Sequence, residues 1–347
     1  WLEPCLKEFD ADKLQKWCHE LGQETFVGSS GRVFPKSMKA SPLLRSWLKS
    51  LDNLGVKFYP NHRWVGFDNR DLVFKNRDEN LIHEKADATI LALGGASWPH
   101  LGSNGKWVDI LSPLGIEISK LEPANCGFVV NWSTFFSEKF AGTPLKSIAI
   151  KHKNLSQKGE FVITKNGIEG NAVYALSSYL RATIKKEGEA ILYLDLRPEM
   201  SIENLAKKLE NFTNKSSDKD ISQNNARGKK TFANYLQKAG FANYTNSLLR
   251  ELIGVEKINS ADSQQLANYL KNLPIILTAT TDIKRAISSA GGVKKSSFDD
   301  NFMLKNLAGV FVAGEMLDWE APTGGYLLQA CFSTAVRASK GVLEYLK

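Results

Sequence analysis

The feature that most constrains the fold is the carboxyl-terminal segment, residues 309–345, which is typical of a strand, a polar turn and a helix. Residues 310–313 form an unbroken apolar run, as expected of a strand buried on both faces of a parallel sheet. Residues 326–346 carry apolar side chains at helical spacing. The connection between them contains Gly314, Glu315, Asp318, Thr323, Gly324 and Gly325. A helix that begins after paired glycines presents free N–H groups and a positive dipole end to a polar or anionic ligand.

A second apolar run, residues 88–93, ends in Gly94, Gly95 and Ala96. An apolar strand followed by two glycines is typical of the turn that closes the FAD site of flavoproteins. An ordinary strand–loop–helix connection would explain either motif by itself. The occurrence of both motifs, in this order and this far apart, favours a cofactor site.

Three groups of residues carry a resemblance to a known family. They read GSSGRVFP with KASPLLR (28–35 and 39–45), ALGGASWP (92–99), and AGGV with AGEMLDWEAPTGGY (290–293 and 313–326). On these motifs the whole chain resembles the bacterial three-domain FAD flavoproteins of the HI0933-like class, also called BaiN-like or aminoacetone-oxidase-like. The resemblance implies an α/β fold: a split FAD/NAD(P)-binding Rossmann-like domain with an inserted β domain that carries a helical subdomain.

The order of strand-like and helix-like segments predicts where this insertion lies. Segments typical of strands fill residues 126–196, whereas residues 201–273 indicate several short helices. A polar, lysine-rich stretch, residues 214–230, is expected to be an exposed linker. The predicted domains are a first FAD-binding segment (1–122), an inserted β-rich domain (123–200), a helical subdomain (201–273), a return strand of the β domain (274–289) and a second FAD-binding segment (290–347).

The sequence departs from the family pattern in one respect. Such proteins begin with a βαβ unit whose G-x-G-x-x-G motif holds the FAD pyrophosphate on a helix N-terminus. The printed sequence contains no such motif and opens at Trp1, without an initiator methionine. A βαβ unit needs about 30 residues or more. We therefore expect an N-terminally truncated member of the family that lacks its first βαβ unit, or a degenerate relative.

A helix and a strand are predicted between the first motif and the second. Ser41 and Pro42 favour a helix start, because serine caps an N-terminus and proline fits the first helical position. Apolar residues then recur at helical spacing over residues 44–54. Residues 56–59 are predicted to form a short strand.

The resemblance implies that FAD is the cofactor and which residues bind it. These are Gly94, Gly95, Ala96, Gly291, Gly292, Val293, Gly314, Glu315, Asp318, Thr323, Gly324, Gly325 and Tyr326. The carboxylate of Asp318 is expected to accept hydrogen bonds from the ribityl hydroxyls. The N–H groups of Gly324, Gly325 and Tyr326 are expected near the carbonyl edge of the isoalloxazine ring, where a helix N-terminus stabilises negative charge on the reduced flavin.

Candidates for the substrate pocket come from the first motif and from the carboxyl-terminal one. The loop of residues 28–35 combines two glycines, two hydroxyls and an arginine. A plain surface loop is the alternative, and the family match favours a pocket. Arg32, Phe34 and Trp319 are the candidates, with Arg32 as a fixed cation able to pair with a phosphate, a carboxylate or reduced flavin. Simple packing beside a glycine turn is the alternative for Trp319.

No catalytic acid or base can be named from the sequence. The five histidines are isolated, and no metal-ligand cluster, nucleophile elbow or P-loop occurs. The expected function is an FAD-dependent oxidoreductase that passes hydride between a small organic substrate and flavin N5. Dioxygen or a nicotinamide nucleotide, NAD(P)H, is the expected electron partner, and the substrate stays open.

Composition bounds the partners and the compartment. The net charge of +8 suits anionic partners, but much of it comes from lysines in Asn- and Ser-rich stretches, so nucleic-acid binding is not expected. No run of 18 apolar residues occurs, and no membrane span is expected. Four cysteines without metal-type or redox-type spacing predict reduced thiols in a cytoplasmic protein.

Two other functions stay open at this point, as does the oligomeric state. The missing G-x-G-x-x-G motif would fit a cofactor-free remnant that binds nucleic acid or another protein. An FAD-dependent RNA-modifying enzyme is the other alternative, because related flavoproteins act on tRNA. No folate or tRNA motif is recognisable in the chain.

Overall fold

The computed structural model describes residues 1–214 and 232–347. The chain divides into two compact units. The first unit comprises Trp1–Pro123 and Ile287–Lys347, and the second comprises Ala124–Ala286. Apart from its first residue, the predicted linker of residues 214–230 lies outside the described residues.

Thirteen helices occur in the described part of the chain. They are α1 (Glu3–Glu8), α2 (Ala11–Glu20), α3 (Ala40–Asn53), α4 (Trp107–Leu111), α5 (Thr134–Phe140), α6 (Asn171–Ala175), α7 (Ser177–Glu187), α8 (Ile202–Asn214), α9 (Phe232–Lys238), α10 (Thr245–Leu252), α11 (Val255–Ser260), α12 (Ser263–Lys271) and α13 (Tyr326–Tyr345). Single 3-10 turns occur at Pro99–Leu101, Ser112–Leu114, Ile283–Arg285, Lys295–Ser297 and Gly314–Met316. In the part of the chain described here, no helix has the length and apolar character needed to cross a membrane.

The described strands are numbered in the same way. They are β1 (Thr25–Val27), β2 (Val33–Pro35), β3 (Arg63–Asp68), β4 (Asp71–Lys75), β5 (Leu81–Glu84), β6 (Thr89–Leu91), β7 (Ile118–Ala124), β8 (Phe128–Val129), β9 (Pro144–His152), β10 (Leu155–Thr164), β11 (Gly167–Glu169), β12 (Ala190–Asp195), β13 (Leu273–Leu277), β14 (Ala279–Thr280), β15 (Ser288–Val293) and β16 (Val310–Val312).

The first unit is built around a parallel pair of strands, β6 and β16. Val310, Phe311 and Val312 pair with the three residues of β6, and all three are buried. The remaining sheets of this unit are the β1–β2 hairpin, the β3–β4–β5 meander and the β7–β15 pair. Full burial of an aliphatic or aromatic side chain contributes about 1.5–3 kcal/mol, so the short apolar run fixes β16 in the centre of the unit.

Helix α13 packs closely against this pair because its inner face consists of small residues. Ala330, Ser333, Thr334, Ala338 and Gly341 are its buried residues. A Cβ at Gly341 would lie 2.4 Å from the carbonyl oxygen of Asn301, so only glycine allows that approach. The helix therefore lies firmly against the core, with its N-terminus at the paired glycines.

The second unit contains a seven-stranded sheet covered by helices. Its strand order is β13-β12-β9-β10-β11-β8-β14, and the recorded pairs are antiparallel. Fully buried side chains from the sheet and α5 form its core; among them are Phe128, Phe136, Leu145, Ile150, Phe161 and Ile163. A continuous apolar core of this kind indicates that the second unit is stabilised by its own packing.

The end of this sheet carries a buried ion pair. Lys271 Nζ, at the end of α12, donates to Oδ1 and Oδ2 of Asp195 at 3.0 and 2.9 Å. It also donates to the Arg197 carbonyl at 2.6 Å, and the Arg197 N–H donates to Asp195 Oδ1. Asp195 is 3% exposed and Lys271 7% exposed. Both charges are thus removed from water, and their hydrogen bonds to each other compensate for the lost hydration.

Two local predictions are wrong. Helix α3 begins at Ala40, with the extended residue Lys39 as N-cap, so Ser41 lies inside the first turn and does not cap it, and Pro42 is the third helical residue, not the first. None of the residues of α3 is buried. Residues 56–59 are not in a strand, since a strand requires a hydrogen-bonded neighbour and none of the described residues pairs with this segment.

Candidate functional site

The turn after β6 is held by side chains from two other elements. Gly94 has a φ of +70°, and its carbonyl accepts a hydrogen bond from Trp107 Nε1–H at 2.9 Å. Ser289 Oγ accepts hydrogen bonds from the N–H groups of Ala96 and Ser97 at 2.8 and 3.2 Å. These three hydrogen bonds fix the backbone conformation of the turn.

The turn after β16 meets the same serine. Gly314, at a φ of +80°, donates its N–H to Thr334 Oγ1 at 3.1 Å. Glu315 Oε1 accepts a hydrogen bond from the N–H of Ser289 at 2.9 Å. The two glycine-containing turns that follow the parallel strands are thus joined through Ser289.

Asp318 is fixed at both its backbone and its side chain. Its N–H donates to the Val293 carbonyl at 2.9 Å, and its Oδ2 accepts a hydrogen bond from Ser119 Oγ–H at 2.5 Å. Trp319 donates its indole N–H to the Gly314 carbonyl at 3.4 Å and packs against the core of the first unit. With the hydrogen bond to Glu315 described above, both carboxylates of the segment after β16 are therefore held in place by hydrogen bonds.

The glycines of β15 are required by close packing. Gly291 has a φ of +85°, and a Cβ there would lie 2.2 Å from the Lys120 carbonyl oxygen. Gly292 has a φ of +131°, and a Cβ there would lie 2.3 Å from the Met316 carbonyl oxygen. Val293, next along the strand, is fully buried. Strand β15 therefore lies directly between the backbone of β7 and the turn that carries the two acids.

The paired glycines before α13 lie beside the first sequence motif. Gly325 has a φ of +96°, and a Cβ there would meet no atom within 4 Å. The Nε atom of Arg32 lies 3.4 Å from where a Cβ of Gly324 would be. Arg32 is exposed, and its backbone carbonyl accepts a hydrogen bond from the Gly28 N–H, whereas its guanidinium forms no hydrogen bond or ion pair with the described residues. Phe34 lies against Phe26 across the β1–β2 hairpin, with ring centroids 5.9 Å apart.

These features fit the ribityl chain and ring of a flavin. Glu315 and Asp318 each retain one carboxylate oxygen that accepts no hydrogen bond from a described residue. Ser103 Oγ is buried without a partner among the described residues, 2.9 Å from where a Cβ of Gly94 would lie. Gly325 leaves open space next to the N-terminus of α13. Hydroxyl-rich and carbonyl-bearing groups would satisfy these acceptors and donors.

The sequence did not reveal the serines that organise this region. Ser119, on β7, and Ser289, on β15, are separated from their partners by 199 and 193 residues. The sequence contains one sign of their importance: Ser288 and Ser289 are polar residues directly before the AGGV motif, in an otherwise apolar strand.

Within the described residues, the structure adds no histidine or metal chemistry to this region. His100 lies beside Trp98, with ring centroids 5.3 Å apart. In the described ranges, no group of three or more histidines, cysteines or acids is placed to hold a metal ion.

Cys331 provides a chemical probe of the Glu315 environment. Burial, and secondly the Glu315 carboxylate, raise the pKa of the Cys331 thiol to about 12. The pKa of the Cys331 thiol is therefore higher in the folded chain than in the unfolded chain. The contribution of the neutral thiol to the free energy of unfolding is complete below the pKa of the unfolded chain, and it is lost as the pH rises towards 12. We expect native Cys331 to react with iodoacetamide at pH 8 on the order of a thousandfold more slowly than in the unfolded chain.

Mass spectrometry of the alkylated peptides measures this rate, with Cys331→Ser identifying the peptide. Glu315→Gln should lower the pKa of the thiol and speed the reaction several-fold. Equal alkylation rates in the native and unfolded chains would contradict the described environment.

Comparison with known proteins places the chain in a family. A family model described as the HI0933-like protein Rossmann domain matches residues 1–341. The chain belongs to this family. Membership of the HI0933-like family confirms the resemblance drawn from the sequence motifs. It also confirms the predicted fold class, an α/β protein with a Rossmann-like FAD-binding domain, and the predicted enzyme class, an FAD-dependent oxidoreductase.

Individual relatives of this HI0933-like protein are distant. It is 24% identical over 344 residues to the 3-dehydro-bile acid delta(4,6)-reductase of Clostridium scindens, covering 98% of this chain and 82% of that protein. It is also similar to solved structures at 13% identity: a flavocytochrome c3 fumarate reductase in an open conformation (TM-score 0.44), the E. coli quinol fumarate reductase FrdA (0.41) and the 3-ketosteroid delta1-dehydrogenase of Sterolibacterium denitrificans in complex with 1,4-androstadiene-3,17-dione (0.42).

The coverage of these structures differs. This chain is covered over 100%, 96% and 87% of its length, respectively. It spans 67% of the flavocytochrome, 56% of the quinol fumarate reductase and 63% of the ketosteroid dehydrogenase.

Proposed function

We propose that the protein passes hydride between a small organic substrate and N5 of bound FAD. The observation that supports this most is the junction of the two turns after β6 and β16. Residues 94–97 and 314–318 meet through Ser289 at the carboxyl ends of two parallel strands. Open α/β sheets bind their ligands at this edge. FAD supplies the redox chemistry, and the chain supplies position and charge.

The proposed roles of the cofactor-binding residues follow from their free atoms. The unpaired carboxylate oxygens of Glu315 and Asp318 would accept hydrogen bonds from ribityl hydroxyls. The N–H groups at Gly325 and Tyr326, at the start of the 20-residue helix α13, would donate to the carbonyl edge of the ring. The guanidinium of Arg32 would add positive charge beside Gly324. The wall of the site is proposed to include Ala96, Gly291 and Thr323. Gly292 and Val293 are buried, so they would support this wall from within the unit.

The substrate is proposed to carry an anionic group. Arg32 is exposed beside Gly324 and makes no ion pair with a described residue, so its charge is available to a carboxylate. Phe34 and Trp319 would contact the apolar part of such a substrate. The Clostridium scindens relative, by its name, acts on a 3-dehydro bile acid. Dioxygen or NAD(P)H is the proposed electron partner. A cytoplasmic location is proposed because all four cysteines are free.

The role of Asp318 can be tested by FAD titration. Asp318→Ala is expected to weaken FAD binding about 10–100-fold, because a hydrogen bond to a charged group contributes about 1.5–3 kcal/mol. Flavin fluorescence quenching measures the affinity. Asp109→Ala, which removes an exposed acid of the same unit, is the matched control and should bind FAD as the unaltered chain does. FAD affinity equal in the two variants would rule out the assigned role.

A further inference from the structure

Ser289 forms hydrogen bonds with both turns. It is 1% exposed and lies in β15. Its hydroxyl oxygen accepts hydrogen bonds from two consecutive N–H groups, at 2.8 Å from Ala96 and 3.2 Å from Ser97. Its own N–H donates to Glu315 Oε1 at 2.9 Å. One buried residue thus fixes the backbone of one turn and the carboxylate of the other.

The neighbouring residue in the turn is matched to this serine. A Cβ at Gly95 would lie 2.3 Å from Ser289 Oγ and 2.5 Å from Ser289 Cβ, which is closer than atoms of a folded protein approach. Only glycine at position 95 therefore lets the turn reach the hydroxyl. The carboxyl carbon of Glu315 would lie 3.3 Å from the same Cβ, so all three residues occupy one tightly filled contact.

We infer that Ser289 is the positioning residue of the flavin site. Its hydroxyl holds residues 94–97 and its N–H orients Glu315, so that both turns have one arrangement before the cofactor binds. Ser289 acts through these groups and does not itself react. The inference rests on the proposed function, because the two turns are the ones to which FAD binding is assigned. A preorganised site binds its ligand without the entropic cost of ordering these turns.

Alanine at position 289 removes the acceptor and leaves the N–H to Glu315 in place. The N–H groups of Ser97, which is buried, and Ala96, which is partly buried, would then lack this partner, which favours local opening of the turn. Ser333→Ala is the matched control: Ser333 is fully buried in the same unit, and its side chain forms hydrogen bonds with Phe9 and Gln329, which belong to neither turn. Both variants remove one buried hydroxyl, so a general loss of stability affects both.

The experiment combines hydrogen–deuterium exchange of the cofactor-free chain with FAD titration. In the unaltered chain, peptides covering residues 92–98 should exchange slowly. In Ser289→Ala these peptides should exchange much faster while peptides from α13 do not, and the Kd for FAD should rise about tenfold, the effect of one net hydrogen bond. Ser333→Ala should change neither the exchange of these peptides nor the Kd.

Each other outcome overturns a defined statement. Fast exchange of residues 92–98 in the unaltered chain overturns the inference even if the variant does not fold. The inference is also overturned if residues 92–98 of Ser289→Ala exchange at the rate of the unaltered chain. It is overturned likewise if Ser289→Ala binds FAD as tightly as Ser333→Ala does. An unaltered chain that binds no FAD overturns the proposed function and, with it, the role of Ser289 in binding.

Discussion

Replacing Gly292 with alanine is expected to destabilise the first unit by about 3 kcal/mol or more and to abolish flavin binding. The added Cβ would lie 2.3 Å from the Met316 carbonyl oxygen and 2.7 Å from the carbonyl carbon of Leu317. Overpacking costs about 1–3 kcal/mol, and an unfavourable backbone conformation costs about 1–3 kcal/mol more. Because the displaced atoms belong to the backbone between Glu315 and Asp318, the carboxylates would move with them.

The control for this experiment is Gly22→Ala. Gly22 also has a positive φ, +74°, but a Cβ there would meet no atom within 4 Å. The Gly22→Ala substitution should therefore cost only the strain of placing alanine at a positive φ, about 1–2 kcal/mol. Urea unfolding followed by tryptophan fluorescence gives both free energies of unfolding. If Gly292→Ala is no less stable than Gly22→Ala, the close packing of β15 against the acidic turn is wrong.

Replacing Lys271 with methionine is expected to destabilise the second unit by about 3–5 kcal/mol, because it leaves the buried carboxylate of Asp195 without its main partner. The remaining contacts of that carboxylate are the Arg197 N–H and Lys151 Nζ, the latter at 3.9 Å. Urea unfolding measures the effect. The double variant Asp195→Leu with Lys271→Met removes both charges and should recover most of the lost stability.

A matched surface pair shows that burial is the cause. Lys158 Nζ lies 2.9 Å from Glu199 Oε1 in the same unit, and both side chains are exposed. Lys158→Met should therefore change the free energy of unfolding by less than about 1 kcal/mol. An equally small effect of Lys271→Met would show that Asp195 and Lys271 are not buried as described.

Motifs with a local physical cause were predictable from the sequence. The apolar run of residues 310–313 indicated a buried strand, and the structure pairs it in parallel with the run that ends before Gly94. Family membership confirms the fold class and the flavoenzyme assignment that these motifs implied. Local composition is sufficient for these features because the apolar character of a run and the ability of glycine to adopt a positive φ are properties of the residues themselves. It was not sufficient for the start of α3, which Ser41 does not cap.

Contacts between distant residues were not predictable. Ser119 and Ser289 are ordinary in type, and their partners lie almost 200 residues away. The sequence gives no measure of how closely two backbones approach, so the steric need for Gly291 and Gly292 appeared only in the structure. The predicted strand at residues 56–59 failed for a related reason, since strand propensity does not supply a pairing partner. The assigned cofactor and substrate residues stay predictions.

The most direct test of the central claim is the visible absorption spectrum of this chain after addition of excess FAD and removal of unbound dye. If the turns after β6 and β16 and the N-terminus of α13 form a flavin site, flavin bands remain with the protein and bleach on anaerobic reduction. If the eluted protein shows no flavin absorbance while its folded state is intact, these elements do not bind FAD in this chain, and the proposed site is wrong.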